Sequence, residues 1–341
     1  MKSKTPTIVI TGAAGFIGLE LTKQVLRTTD YNILAIDAFT EVANEKELYL
    51  LSNQNHERLT VAHQRIEDLS SFWRNMMDKL SIDYVFNLAA ETHVDNSNED
   101  GSSFMSSNII GTFTLVEYFR NRVKPIKCFF QISTDEVYGS CVNQYCKNEV
   151  GRTVKFKEGD KLNPTSYYAS SKASAEHIVQ SAGKVYNFPY IITRCCNNFG
   201  STQNKEKLIP KIMYNLVKGI PFPLYSDGKQ LRQWVSVQRH CACLLALMDE
   251  SQKSDKVIDR IYNIGCYVFS NKEIIKMLAT NLNIAYENIE FEVVPDRLAH
   301  DQAYHVDSSV LDSIIGGYSR STFDNDFVTM FKEFKELYKG K

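Results

Sequence analysis

At 341 residues, of which 43% are hydrophobic and 23% charged, the chain is long enough for one large core or two moderate ones, and its make-up is that of an ordinary globular protein. A formal net charge of −1, without a block of five or more like charges, excludes the electrostatic footprint of a nucleic-acid or membrane-surface binder. No apolar run approaches the roughly 18 residues of a membrane span, and no signal-peptide pattern precedes the strand-like residues from Thr7, so a cytoplasmic location is expected.

In chain order, β-branched apolar runs recur at Thr7–Ile10, Tyr31–Ile36, Tyr84–Leu88 and Cys128–Ile132. Between them lie amphipathic stretches at Phe16–Leu26, Ser71–Leu80 and Phe104–Arg122. Continuous apolar strands separated by helices predict a parallel sheet covered on both faces, the α/β doubly wound pattern. A long helix over Tyr167–Tyr186 and a strand over Pro189–Thr193 add a further unit. Beyond Phe199 the rhythm loosens, punctuated by Pro210, Gly219, Pro221, Pro223 and Gly228. A helix over Arg239–Met248, a strand over Ile261–Ile264 and a last helix over Ser321–Tyr338 complete the reading. The expected division is a nucleotide-binding domain over residues 1–200 and a smaller lobe over 201–341, interleaved with the first.

The first strand runs into Thr11-Gly12-Ala13-Ala14-Gly15-Phe16-Ile17-Gly18, which opens the first helix. In that position a GxxGxxG loop points to a dinucleotide: Gly12 permits a tight turn and Gly15 lets backbone N–H groups approach a pyrophosphate. Gly18 lets helix and strand pack closely. Asp37 ends the second strand, nineteen residues after Gly18, where a carboxylate accepts hydrogen bonds from an adenosine ribose. Ala38 and Phe39 follow, with no arginine for a 2′-phosphate, which favours NAD over NADP. The eight cysteines, Cys128, Cys141, Cys146, Cys195, Cys196, Cys241, Cys243 and Cys266, form no CxxC pair. They read as reduced thiols rather than a metal site.

Tyr168 and Lys172 stand four apart at the start of the long helix, so they share a face. A free phenol ionises near pH 10, too high for base work at neutral pH. The spacing predicts that the lysine ammonium favours the phenolate and lowers that value. Upstream, Ile132-Ser133-Thr134-Asp135-Glu136 ends a buried strand in two adjacent carboxyls. Burying either is costly, and strand ends of open α/β sheets face the ligand crevice.

The glycine loop Gly12–Gly18, Asn87-Leu88-Ala89-Ala90 and the Tyr168/Lys172 pair together resemble the extended short-chain dehydrogenase/reductase superfamily. Further segments resemble its nucleotide-sugar 4,6-dehydratases: Glu91–Asp95, Ser133–Gly139, Tyr168–Ala173, Cys195–Gly200, Glu206–Pro210, Tyr262–Gly265 and Asp296-Arg297…His300-Asp301. The likeness runs from about Thr7 to the last helix. It implies a bound NAD and oxidation of a hexose at C4 with Tyr168 as base. Glu136 then removes the C5 proton, Asp135 protonates the C6 hydroxyl as water leaves, and Thr134 bonds the C4 oxygen. Phe16, Ile17, Asp68 and Ala89 join Gly12, Gly15, Gly18, Asp37, Tyr168 and Lys172 around the cofactor. His93, Asn197, Lys207, Leu208, Arg232, Asn271, Arg297 and Tyr304 face the sugar nucleotide, and Asn108 lies on the nicotinamide side with His93. The resemblance also implies a homodimer through Phe104–Arg122 and Tyr167–Tyr186.

Some positions depart from that pattern. Arg65 stands where an aspartate near the adenine is common. Asn96 replaces an arginine, Ser201 a proline and Gln233 an aspartate, while Gln238-Arg239-His240 replaces Glu-Asp-His. These changes leave dTDP-glucose and UDP-glucose both open as substrate. A UDP-sugar 4-epimerase or UDP-glucuronate decarboxylase shares the loop and the Tyr/Lys pair but lacks the Asp-Glu step. A non-catalytic NAD-binding sensor is expected to have lost Tyr168, Lys172 or the acids, all of which are present.

Overall fold

The apolar runs of the first half become neighbouring strands of one parallel sheet. A computed structural model of the chain describes residues 5–92, 100–140, 155–225, 228–294, 303–317 and 323–338. The sheet joins β1 (Thr7–Thr11), β2 (Asn32–Asp37), β3 (Leu59–His63), β4 (Ile82–Asn87), β5 (Cys128–Thr134), β6 (Tyr190–Cys195) and β10 (Arg260–Ile264) in the order β10-β6-β5-β4-β1-β2-β3. Every pairing is parallel. All seven residues of β5 are buried, as expected of a strand covered on both faces. The progression of strands reverses between β1 and β4, and this switch point opens a crevice outside their carboxyl ends.

Helices cover both faces. On one, Leu19, Leu21 and Val25 of α1 (Phe16–Thr28) pack with Leu244, Leu247 and Met248 of the helix Val237–Lys253. On the other, Leu115, Val116 and Phe119 pack with Val179 and Ala182 of the helix Tyr167–Tyr186. The expected helix over 104–122 is built in three pieces: Ser102–Phe104, a π-helical Met105–Ile110 and Gly111–Arg120. The wide turn carries the buried Asn108, and such turns cluster at functional sites. Strand β3 and the helix Glu45–Gln54 were not legible in the sequence. Thr60 and His63 of β3 are exposed on the sheet edge, and only Leu48 of the helix is fully buried, so neither has a strong apolar signal.

A smaller group of elements packs around Phe199, Trp234, Ile274, Phe327 and Phe331. It holds a three-stranded sheet of β7 (Asn197–Phe199), β9 (Leu231–Ser236) and β11 (Tyr267–Ser270), and a pair formed by β8 (Phe222–Tyr225) and β12 (Phe291–Val294). Strand β10 and the helix Val237–Lys253 return to the first sheet. Two of the departures fix the last helix, Phe323–Tyr338, to this group. Arg239 donates to Asp326 Oδ2 at 2.6 and 2.9 Å, and Ser236 donates to the same oxygen at 2.9 Å. Ser201 donates to Glu333 at 2.6 Å. Hydrogen bonds to a charged group are worth about 1.5–3 kcal/mol when partly shielded. Asp326→Ala is therefore expected to lower stability by about 2 kcal/mol, read as a shift in the denaturant midpoint at unchanged slope.

Candidate active site

The site is assembled at the carboxyl ends of β1, β2, β4 and β5. Gly12 turns the chain out of β1 with φ +67°, and an added Cβ would lie 2.7 Å from Ala89 N and 2.8 Å from the Leu88 carbonyl carbon. At Gly18 the same atom would meet Gly12 O at 2.1 Å. The loop thus approaches its neighbours as closely as backbone allows, leaving the first N–H groups of α1 facing outward as an anion cradle. At the end of β2 the Asp37 carboxylate accepts from Ala14 N and Phe39 N, both at 2.8 Å. Burial raises its pKa, against those backbone donors. Each oxygen keeps further acceptor capacity for a ribose hydroxyl. Phe16 and Ile17 begin α1 behind the loop. Asp68 is exposed beyond β3, its carbonyl accepting from Gln64 at 2.6 Å.

Polar side chains lock this crevice from below. Thr11 donates to Asn87 at 2.7 Å, Asn87 donates to Gln131 at 2.8 Å, and Ala89 N donates to Thr11 Oγ1 at 3.2 Å. Asn108 accepts from Glu91 N at 2.8 Å and donates to Ser171 Oγ at 2.8 Å, while Ser171 donates to the Tyr168 carbonyl at 2.7 Å. The loop after β4 is thereby tied to the helix that bears the tyrosine.

That helix begins after Pro164, where Ser166 accepts from Ala169 N at 3.1 Å as its N-cap. Tyr168 and Lys172, 8% and 4% exposed, lie against the end of β5. The Tyr168 phenol shares a side-chain hydrogen bond with Thr134. Thr134 also donates to Asp135 Oδ1 and accepts from Glu136 N, both at 3.3 Å, so one hydroxyl links the phenol to the turn Asp135–Tyr138 that carries both acids. Asp135 is 2% exposed, and its Oδ2 has no hydrogen-bond partner among the described residues. Burial first and the Glu136 charge second push its pKa to about 8, against the guanidinium of Arg232. It is a protonated acid at neutral pH.

The lysine behaves differently from the expectation that it lowers the phenol's pKa. Its ammonium donates to the Ile132 carbonyl at 2.6 Å, and burial brings it down to about 8. The Tyr168 phenol lies well above its ordinary value, raised by burial, by the Glu136 charge and by Cys195. Both groups are desolvated together, and the carbonyl rather than the phenol takes the ammonium's hydrogen bond.

Comparison with known proteins fits this geometry. Residues 8–265 match the family model described as the NAD dependent epimerase/dehydratase family. The chain belongs to that family. It is an NAD-dependent enzyme, and the glycine cradle and Asp37 fit the cofactor. Among curated relatives of the family, dTDP-glucose 4,6-dehydratase of Haemophilus influenzae is 33% identical over 335 residues, covering 93% of this chain and 94% of its own. The low-salt glycan biosynthesis protein Agl12 of Haloferax volcanii is 35% identical over 306 residues, 89% of this chain and 90% of its own. The solved dTDP-glucose 4,6-dehydratase of Bacillus anthracis in complex with NAD superposes with a TM-score of 0.84 at 30% identity, covering 98% of both chains.

The residues expected to face substrate in this family member are brought only partly together. Arg232 lies over the Tyr304 ring at 4.8 Å and within electrostatic reach of Asp135. Tyr304 N donates to the Leu231 carbonyl at 3.3 Å, and Asn271 N donates to the Gln230 carbonyl at 3.2 Å, so Tyr304 and Asn271 flank the start of β9. Asn197 pairs with Trp234 across β7 and β9. Lys207 precedes the helix Leu208–Lys218, which Leu208 opens, packing against the cluster that holds Phe199 and Trp234. His93 and Arg297 lie outside the described residues, as do Asn96, Cys141 and Cys146. Cys128, Cys195, Cys196, Cys241 and Cys243 are buried thiols outside any disulfide among the described residues. Gln233, in place of an aspartate, accepts from Val306 N at 3.0 Å and donates to Val306 O at 3.4 Å, pinning the segment that carries Tyr304.

Sequence reasoning missed Glu176 and Arg194, and it met His240 only within a departure from the family pattern. Glu176 stands four residues beyond Lys172 on the same helical face, a spacing that was available. His240 is buried, with Nδ1 2.9 Å from Asn198 Oδ1, and burial brings its pKa to about 4, leaving it neutral.

Proposed function

We propose that this enzyme performs NAD-dependent 4,6-dehydration of a nucleoside-diphosphate glucose, giving the 4-keto-6-deoxy sugar nucleotide. The observation that carries the reading is Asp135: an acid buried beside Glu136, one hydroxyl away from the Tyr168 phenol. Epimerisation at C4 needs the phenol alone, whereas elimination across C5–C6 needs an acid and a base on adjacent carbons. Asp135 and Glu136 supply that pair.

NAD, held by the Gly12–Gly18 loop and Asp37, would supply the hydride acceptor for C4 and the hydride donor for C6, and its positive charge would favour ionisation of the Tyr168 phenol. Thr134 holds the C4 oxygen while Tyr168, acting as the phenolate, takes the hydroxyl proton. The resulting ketone acidifies C5–H, and Glu136 removes that proton. Asp135 gives its proton to the C6 hydroxyl, and water leaves with the C6–O bond pair. Glu136 restores the proton at C5 as C6 becomes a methyl group. Tyr168 has then gained one proton and Asp135 has lost one, so an exchange through solvent resets the site with no net redox. Lys172 holds the end of β5 through Ile132 and keeps positive charge close to the phenol. Arg232 supports the diphosphate, where a planar fork suits phosphate oxygens. Asn197, Lys207, Leu208, Asn271, Tyr304, His93 and Arg297 complete the sugar-nucleotide side.

We read the chain as a homodimer in the cytoplasm. Ile110, Phe113, Tyr167, Val185 and Tyr186 are exposed on the two helices expected to pair, and none of the described helices is long and apolar enough to cross a membrane. The division into a cofactor domain over 1–200 and a substrate lobe over 201–341 belongs to the same reading. The relatives favour a thymidine nucleotide, and the departures keep UDP-glucose as the second candidate. The test is incubation with NAD and dTDP-, UDP-, GDP- or CDP-glucose. The expected product absorbs strongly in alkali, with the dTDP sugar converted fastest. Formation of a galactose isomer, or NAD binding without conversion of any of the four, overturns the reading.

A further inference from the structure

Beneath the acid-bearing turn lies a buried polar cluster that the reaction itself does not use. Arg194, on β6, forks onto Glu176: Nε donates to both carboxylate oxygens at 3.1 Å and Nη2 donates to Oε2 at 2.7 Å. Its Nη1 donates to the Tyr138 hydroxyl at 2.7 Å and to the Glu158 carbonyl at 3.1 Å. The Tyr138 hydroxyl donates to Asn263 Oδ1 on β10 at 2.9 Å, and its ring stacks on Phe156 at 4.8 Å. The pair Arg194–Glu176 is 3% and 0% exposed by side chain.

The placement of these groups gives the cluster a role. Tyr138 is the last residue of the turn Asp135–Tyr138, and Thr134 caps its first. Glu176 lies on the helix of Tyr168 and Lys172, at successive spacings of four, so the three share one face. Cys195, next to Arg194, pairs in register with Thr134. Arg194 therefore bridges the element that carries the base for C4 and the element that carries the acid and base for C5 and C6. Desolvated ion pairs contribute little net stability against apolar replacements, and their best-attested use is to fix a register.

We infer that Glu176, Arg194 and Tyr138 are positioning residues that hold the acid-bearing turn in register with the tyrosine helix, so that the ketone formed at C4 meets Glu136 and Asp135 correctly placed. The inference rests on the dehydratase reading. Misplacement by about 1 Å costs on the order of 10²-fold in rate, and here the loss falls on elimination rather than on C4 oxidation, because Thr134 and Tyr168 keep their own hydrogen bond.

The test uses the full-length holoenzyme with dTDP-glucose in single turnover. The rise of reduced nicotinamide absorbance reports C4 oxidation, and its decay reports elimination followed by hydride return. Wild-type conversion is measured first, and its absence would count against the dehydratase reading alone. In Tyr138→Phe, which keeps the ring stack, the rise is expected within about threefold of wild type and the decay slowed by about tenfold or more. Glu176→Gln is expected to slow the decay further. Hydrogen exchange of the Gly139 amide, bonded to the Glu136 carbonyl at 3.0 Å, should accelerate in the unliganded Tyr138→Phe protein. Equal slowing of both phases, or unchanged decay with unchanged exchange, overturns the inference. Should Glu176→Gln not fold, Tyr138→Phe decides alone.

Discussion

The Asp135→Asn, Glu136→Gln double variant is expected to release no measurable water from the sugar, yet still to remove and return hydride at C4. Each correctly placed proton-transfer group contributes about 10²–10⁴ in rate, so losing both stops elimination. The phenol and Thr134 remain, and with them the C4 step. The measurement is exchange of label between C4 of the sugar and the cofactor, alongside the alkaline absorbance of product. Continued 4-keto-6-deoxy product would remove Asp135 and Glu136 from their roles. The same geometry sets a pH dependence. Asp135 acts in its protonated form, so kcat/KM is expected to fall as pH rises through about 8. Its effect on stability has the same sign. The folded acid keeps a proton that the unfolded chain, at its ordinary value of 3.8, has released. Between those two values the folded state binds more protons, so stability declines as pH rises across that window. Asp135→Asn removes the titration, and above about pH 8 the variant should melt higher than wild type. A site kept at that cost is one where function outweighs stability.

Gly12→Ala is expected to weaken NAD binding by about 10²-fold or more, the loss that follows when a cradle is displaced by roughly 1 Å. Its backbone is left-handed, which costs an alanine roughly 1–2 kcal/mol. The larger effect is steric: the methyl would lie 2.7 Å from Ala89 N, where the loops after β1 and β4 meet. Those loops must part, and the pyrophosphate cradle opens with them. Gly15→Ala provides the contrast, since its added atom would meet Gly12 O at 3.1 Å, a contact a small shift relieves. Calorimetric titration with NAD, paired with a thermal melt, separates lost binding from lost folding. Equal affinities for the two variants would show that the close approach at Gly12 is not what shapes the site.

The sequence determined what depends on neighbours in the chain. The glycine loop follows its strand because three small residues at fixed spacing are needed wherever backbone meets backbone and phosphate. The tyrosine helix over Tyr167–Tyr186 is bounded as expected, by Ser166 at one end and Asn187 in a left-handed conformation at the other. Buried strands read as uninterrupted apolar runs, so their existence was legible, while β3 is half-exposed, β9 carries three polar residues, and β7, β8, β11 and β12, at three or four residues each, are too short to form a pattern. Tertiary structure decided the rest. Spacing placed Lys172 beside Tyr168, but only packing could reveal that the ammonium is claimed by the carbonyl of Ile132. Two adjacent acids are ordinary on paper, and what raises one of them is desolvation at a strand end, set by elements far away in sequence. Arg194 meets Glu176 and Tyr138 across 18 and 56 positions. Side-chain pairing at such separations follows from how strands and helices stack, which local pattern does not encode.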